Sequence, residues 1–159
     1  MQIRKFDQNN TAELNQVYRI QIAAYTVEAA IIGAEVFPPL HGTRNELRDS
    51  REEGFVYLID EVVVGAVFLE MTASSVLIAK LIVEPVFFRR GIAKALIRYC
   101  LELYPETAFE VGTGSANFPA LALYRSFGFR IFEDKLLEDG IRISRLRRES
   151  GSGIDVVLD

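Results

Sequence analysis

The stretch Val83-Glu-Pro-Val-Phe-Phe-Arg-Arg-Gly-Ile-Ala-Lys-Ala-Leu96 constrains this chain more than any other. An apolar strand breaks at Pro85, which has no N–H to give a sheet, and an amphipathic helix starts a few residues later behind two arginines and a glycine. A helix start offers about four unpaired N–H donors and roughly half a positive charge, so it suits a phosphate group. Gly91 lets a ligand approach the backbone, Ala93 keeps the next turn low, and Arg89 and Arg90 add full charges. An ordinary helix start with two solvated arginines fits the same residues, so the segment alone leaves both readings open.

The rest of the chain places this unit late in a series of strands. Residues 2 to 6 read as a strand, and Asn10 with Glu13 caps a helix running to about Tyr25, with Leu14, Tyr18, Ile22 and Tyr25 facing inward. Residues 28 to 42 are apolar but hold Gly33, Pro38, Pro39 and Gly42, which predicts a short helix and then a loop. Thr43 and Glu46 form a second capping box, opening a short helix ended by Gly54. Phe55 to Ile59 and Val62 to Glu70 read as a hairpin turning at Asp60 and Glu61, followed by a strand at Ser75 to Val83. The Arg-Arg-Gly helix should run to about Leu103, burying Ile92, Leu96, Cys100 and Leu103, and Tyr104-Pro105 stops it. A strand at Thr107 to Val111, a turn at Gly112 to Ser115 and a helix capped by Asn117 come next. Gly128 is placed to end that helix in the left-handed conformation. Strands at Phe129 to Glu133 and Ile141 to Leu146 close the chain around Glu138-Asp139-Gly140.

The segment Asn117-Phe-Pro-Ala-Leu-Ala-Leu-Tyr-Arg-Ser-Phe-Gly-Phe129 decides between the readings. Together with the first segment it resembles the GNAT family of N-acetyltransferases, whose motifs run V-x-P, two or three residues, R/Q-x-x-G-x-G/A, and later N-x-x-A-x-x-x-Y-x-x-x-G-F. Val83, Pro85, Gly91 and Ala93 match the first motif, and Asn117, Ala120, Tyr124, Gly128 and Phe129 the second. Phe88 departs from it, standing where the family usually has Arg or Gln; one side-chain contact is lost but the backbone amide stays. The resemblance is specific from about residue 55 to 147 and looser before. It implies an α/β (α+β) fold with a mixed, mostly antiparallel twisted sheet of about six or seven strands flanked by about four helices, which the order βα(α)βββαβαββ fits.

The resemblance also implies a chemistry: acetyl transfer from acetyl-CoA to an amine by direct attack. The strands on either side of the Arg-Arg-Gly helix would splay apart, so that the pantetheine arm pairs with the backbone of Leu81, Ile82 and Val83. The turn Phe88, Arg89, Arg90, Gly91, Ile92, Ala93 and Lys94 would wrap the pyrophosphate, and Asn117 would touch the pantetheine besides capping its helix. Tyr124 is the candidate acid, since a phenol of pKa near 10 can protonate a thiolate of roughly 8.5 to 9.5; otherwise it packs with Ala120 and Phe127. A general base is harder to find. Relatives often carry a glutamate in the strand before the pyrophosphate helix, but Ser75 to Val83 holds no acid. Glu84, Glu110 and Glu70 remain, and Glu110 is preferred because it alternates with core-facing Phe109 and Val111. A water chain is the other option. Tyr25, Glu28, Phe37 and His41 are expected to line the acceptor pocket. Small amines, amino acids, antibiotics and protein N-termini all remain candidates, and a non-catalytic acyl-CoA-binding module on the same fold is the alternative function.

Composition narrows the rest. The 159 residues carry a net charge of −4, which disfavours nucleic acid as partner while allowing a local basic cluster. One domain is expected over residues 1–148, with a loosely ordered or docked tail at 149–159. The single cysteine, Cys100, excludes an internal disulfide and suggests inert packing in a reducing, cytoplasmic setting. No apolar run of about 18 residues and no signal-like N-terminus is present, so no membrane partner is expected. A single histidine, His41, makes a metal site improbable and would have to centre any Ser–His–Asp triad. Gly112-Thr-Gly-Ser-Ala-Asn117 imitates a dinucleotide fingerprint but lacks the third glycine and comes too late in the chain. A homodimer stays open.

Overall fold

In a computed structural model, which describes residues 1–151, seven strands form one sheet in the order β1-β2-β3-β4-β5-β7-β6. The strands are β1 Gln2–Lys5, β2 Glu53–Ile59, β3 Val62–Met71, β4 Ser75–Val83, β5 Ala108–Gly114, β6 Arg130–Leu136 and β7 Arg142–Arg148. Only β4 and β5 run parallel; every other neighbouring pair is antiparallel. Helices α1 Thr11–Ile32 and α2 Arg44–Asp49 cover one face, and α3 Ile92–Leu103 and α4 Phe118–Ser126 cover the other. The tail expected at 149–159 lies, past residue 151, outside the described residues.

Two apolar cores follow from the alternation of the strands. Val56, Phe68 and Ile82 meet Leu14, Val17, Ile20 and Leu47 beneath α1 and α2. Phe55, Val67, Ile78, Phe109 and Val111 meet Ile92, Leu96, Cys100 and Tyr124 on the other side. A slip in register sets the geometry of the site. Lys80 pairs with Phe68 but Ile78 with Leu69, so Ala79 has no partner on β3 and bulges. The bulge reverses the alternation along β4: Val76 and Ile78 belong to the α3 core, whereas Lys80 and Ile82 face α1.

Several boundaries differ from those the sequence predicts. Helix α1 continues past Tyr25 to Ile32, because nothing in Thr26–Ile32 breaks it before Gly33, which ends it at φ 68°. Its buried side is rotated from the expected stripe. Leu14 is buried as expected, but with Val17, Ile20 and Gln21, while Tyr18, Ile22 and Tyr25 are only partly covered. Glu13 is buried as well, because Arg4 and the Asp7 amide (2.7 Å) both bond its carboxylate. Helix α2 stops at Asp49, and Gly54 lies inside β2 instead of ending a helix. Leu103, expected in the core, is 43% exposed, its place taken by Ile97 and Leu101. The expected turn at Gly112 is strand: Gly112, Thr113 and Gly114 pair with Arg145, Ser144 and Ile143 of β7. The remaining signals act as their chemistry requires. Asp60 and Glu61 turn the hairpin at positive φ, both halves of the Thr43/Glu46 box form, and Gly128 sits at φ 88°.

Candidate functional site

β4 and β5 pair only from Ser75/Ala108 to Ile78/Val111. Beyond the bulge at Ala79 they diverge, leaving a gap between the second half of β4 and Gly112–Gly114. The Glu84 amide bonds the Val64 carbonyl on β3 at 2.8 Å, so the antiparallel ladder turns the Ile82 main chain toward Ala66 as well. Of Leu81, Ile82 and Val83, therefore, only Leu81 and Val83 direct main-chain groups into the gap. The expectation that Ile82 does the same is corrected by this alternation.

Past Val83 the chain makes one turn of 3-10 helix at Pro85–Phe87 and enters α3. Arg89 and Gly91 both take positive φ, 64° and 79°, which folds Phe88–Gly91 tightly over the helix start. Gly91 caps the helix without a side-chain acceptor, and a Cβ added there would meet nothing within 4 Å. Ala95 is the first residue to bond back, to Gly91 O at 3.0 Å; the amides of Gly91, Ile92, Ala93 and Lys94 have no partner among the described residues. Exposed Arg89 and Arg90 flank them, the latter over the Phe87 ring at 5.1 Å. These are the ingredients of an anion site: free donors, a helix dipole, open space and mobile positive charge.

At the inner end of the gap α1 meets α4. Asn117 is buried, and its Oδ1 accepts the Ala120 amide at 3.2 Å, capping α4. Its amide nitrogen is left to donate, and the Glu28 carboxylate of α1 lies near enough to feel it. Burial pushes Glu28 above the usual carboxylate range, and the Asn117 amide opposes part of the rise. The Tyr124 ring packs on Phe129 at 5.5 Å, and its hydroxyl has no partner among the described residues without being sealed from solvent. Burial first, then the charge of Glu28 and the phenol of Tyr25, push that hydroxyl well above the ordinary tyrosine range. Tyr25 is raised for the same reasons, by burial and then by Glu28 and Glu52, and its ring meets Phe37 edge-on at 6.0 Å. Thus Tyr25, Glu28, Asn117 and Tyr124 form one constellation.

The other candidates lie elsewhere. His41 is exposed at the end of Pro38–His41. Glu84 pairs with Arg19 at 2.9 Å, and Glu70 is exposed near the other end of the sheet, beside Met71. Glu110 gives one oxygen to Arg145 at 3.0 Å and the other to Arg147 at 2.5 Å, on the sheet face opposite Tyr124. Two guanidiniums therefore hold the carboxylate that the sequence favours as base. What the sequence did not single out is the Glu52–Lys80 pair at 2.9 Å, beside the bulge, and the buried amide of Gln21, whose Oε1 is unbonded. Neither carries a local sequence signal, since each depends on which residues the bulge and the α1 rotation bring inward. Among the described residues no three His, Cys, Asp or Glu side chains converge on a metal position, and no helix is long and apolar enough to cross a membrane.

Comparison with known proteins follows the same lines. The sequence profile described as the Acetyltransferase (GNAT) family matches residues 14–129. The UPF0157 protein YqkA of Bacillus subtilis (strain 168) is 27% identical over 144 residues, which cover 90% of this chain and 42% of that protein. The chain therefore spans about two-fifths of the length of this curated relative. Among solved structures, the ribosomal-protein-S18-alanine N-acetyltransferase of Escherichia coli superposes with a TM-score of 0.73 at 18% identity, covering 96% of each chain. The PaiA N-acetyltransferase of Thermoplasma acidophilum, solved in complex with coenzyme A, gives 0.69 at 12% identity over 91% of this chain and 98% of that one. These likenesses establish a shared fold.

Proposed function

Because the chain belongs to the GNAT acetyltransferase family, we propose that it transfers the acetyl group of acetyl-CoA to a primary amine, with Tyr124 protonating the departing thiolate. The observation that carries the reading is the run of unpartnered amides at Gly91–Lys94, set at the mouth of the gap between β4 and β5. In this reading the pyrophosphate lies on those amides, with Arg89, Arg90 and Lys94 as counter-charges; the Phe88 amide, expected from the sequence to join them, is already bonded to the Pro85 carbonyl at 3.1 Å. The pantetheine follows the main chain of Leu81 and Val83 toward Asn117 and Tyr124. Thioester chemistry enters with acetyl-CoA; the chain itself orients and supplies a proton. The Tyr124 hydroxyl, raised by burial, stays a neutral donor throughout the working pH range; the rise also makes it a weaker acid, so the transfer needs the thiolate held within hydrogen-bond reach.

A base on Glu110 fits less well, because its oxygens already hold Arg145 and Arg147. Thermal unfolding with acetyl-CoA, free CoA and NAD tests the cosubstrate. A ligand at 100 times its dissociation constant stabilises by about 2.7 kcal/mol, so acetyl-CoA and CoA should raise the transition and NAD should not. Thiol release over a panel of amines tests the transfer itself. Stabilisation by CoA with no thiol released in the presence of any amine would point instead to a non-catalytic acyl-CoA-binding module.

A further inference from the structure

Three polar side chains stand in one row across the last strands of the sheet. Ser144 of β7 is 1% exposed; its hydroxyl donates to Asp134 Oδ1 on β6 at 2.6 Å and lies 2.7 Å from the hydroxyl of Ser115, just past the end of β5. A serine has one proton to give and an ionised carboxylate has none, so the direction of the row is fixed. Ser144 spends its proton on Asp134 and must accept the proton of Ser115. Both hydroxyls therefore point toward the carboxylate, and the Ser115 oxygen keeps a lone pair for a donor arriving from the other side.

That other side is a cleft of about 680 Å³, walled by Ser115 and Phe118, by the end of α1 at Ile32–Val36 and by the β6–β7 turn at Asp139–Arg142. The Ser115 amide is tied to this turn through the Arg142 carbonyl at 2.9 Å. Ser115 also follows Gly114, the last residue on the β5 wall of the gap, so gap and cleft meet at it. The row lies on the sheet face of Tyr124: Thr113 and Ser144 continue the alternation of Val111 and Leu146, which pack in the same core as that tyrosine. Its far end opens on water. Asp134 is exposed and forms no ion pair among the described residues, Arg145 and Arg147 being held by Glu110, Glu133 and Glu149. A cross-strand tie alone would need neither a cleft at one end nor an unpaired carboxylate at the other.

We infer that Ser115, Ser144 and Asp134 form a relay that carries the acceptor's ammonium proton from the cleft to bulk water. The inference rests on the acetyl-transfer reading above. The ammonium gives a proton to the Ser115 oxygen as Ser115 passes its own to Ser144 and Ser144 its own to Asp134. Asp134 is a weaker base than the amine and releases the proton to water, after which rotation of the two hydroxyls resets the row. The freed lone pair forms the C–N bond to the thioester carbon. The C–S bond breaks with its electron pair on sulfur, which takes the Tyr124 proton. The nitrogen's second proton restores Tyr124 through solvent, so that ammonium and acetyl-CoA give amide, free thiol and one proton.

The probes are 2-phenylethylamine, an ammonium ion at neutral pH, and O-benzylhydroxylamine, which has the same shape but is uncharged there and has no first proton to lose. Asp134→Asn keeps an oxygen for Ser144 to bond while removing the base, and Ser144→Ala breaks the row. Each should lower kcat/KM for 2-phenylethylamine by on the order of 100-fold, and the loss with O-benzylhydroxylamine should be at least about tenfold smaller, with acetyl-CoA affinity unchanged. The double variant should lose no more than the larger single loss, because both changes cut one row. A structural tie would survive Asp134→Asn, and breaking it would slow both acceptors alike. The relay is overturned if Asp134→Asn keeps its rate with 2-phenylethylamine within about threefold, if the two acceptors suffer equally, or if the two losses multiply. It is also overturned if wild type binds acetyl-CoA but does not acetylate 2-phenylethylamine. If wild type binds no acetyl-CoA, the acetyl-transfer reading itself fails.

Discussion

Burial decides what each titratable side chain of the site can do. Tyr124 and Asn117 were legible because their spacing is local to one helix and its cap. Glu28 was legible only as a candidate pocket residue, since the Asn117 side chain near it is brought to α1 by the fold, which a linear reading cannot see. Glu110 shows the converse: its alternation with Phe109 and Val111 was read correctly, but the two arginines on β7 are neighbours only across the sheet. Removing the Tyr124 hydroxyl should expose its role. Tyr124→Phe is expected to lower kcat by on the order of 100-fold while acetyl-CoA affinity holds, as steady-state rates and calorimetry will measure. Cys100 illustrates inert burial. Its thiol is fully covered in the α3 core and pushed up to about 12, by burial and then by Glu53, so native protein should not react with a thiol reagent at pH 8. One thiol should titrate after denaturation.

At the scale of elements, the site is a consequence of how α1 crosses the sheet. The helix begins over β1, where Arg4 holds Glu13, passes Glu84 at Arg19, and ends against β5, where Ile32 lies on Gly114. A Cβ on Gly114 would stand 2.7 Å from Ile32 Cγ2, too close for the two elements to keep their spacing. Gly114→Ala should therefore destabilise by roughly 1–3 kcal/mol in urea unfolding. Ile32→Ala in the same chain should recover part of that loss, because the two changes share one contact. The sequence predicted a helix to about Tyr25 and a separate short helix after it, ahead of Gly33, Pro38, Pro39 and Gly42; the two are one helix to Ile32. Nothing in Thr26–Ile32 interrupts that helix, and the contact of Ile32 with Gly114 seats its far end on β5. The bulge at Ala79 was not legible: nothing in Ser75–Val83 marks it, yet it opens the gap and turns Lys80 and Ile82 toward α1.

For the whole molecule, the succession of strands and helices along the chain was readable from motifs, turn residues and caps, because those signals agree along most of the chain, whereas the place of β7 between β5 and β6 in the sheet was not. The parting of β4 and β5 was expected only from the family resemblance, since no residue pattern in either strand marks it and separation is set by long-range register. That separation and the helix start beside it support the central claim that the α3 turn cradles the pyrophosphate of coenzyme A. The most direct test follows the backbone amides of uniformly nitrogen-15-labelled protein by NMR while CoA is added. The account predicts the largest shifts at Gly91, Ile92, Ala93 and Lys94, whose N–H groups stand free, with smaller shifts at Leu81, Val83 and Asn117. Saturating CoA that leaves those four resonances unmoved, or moves only residues elsewhere, would contradict it.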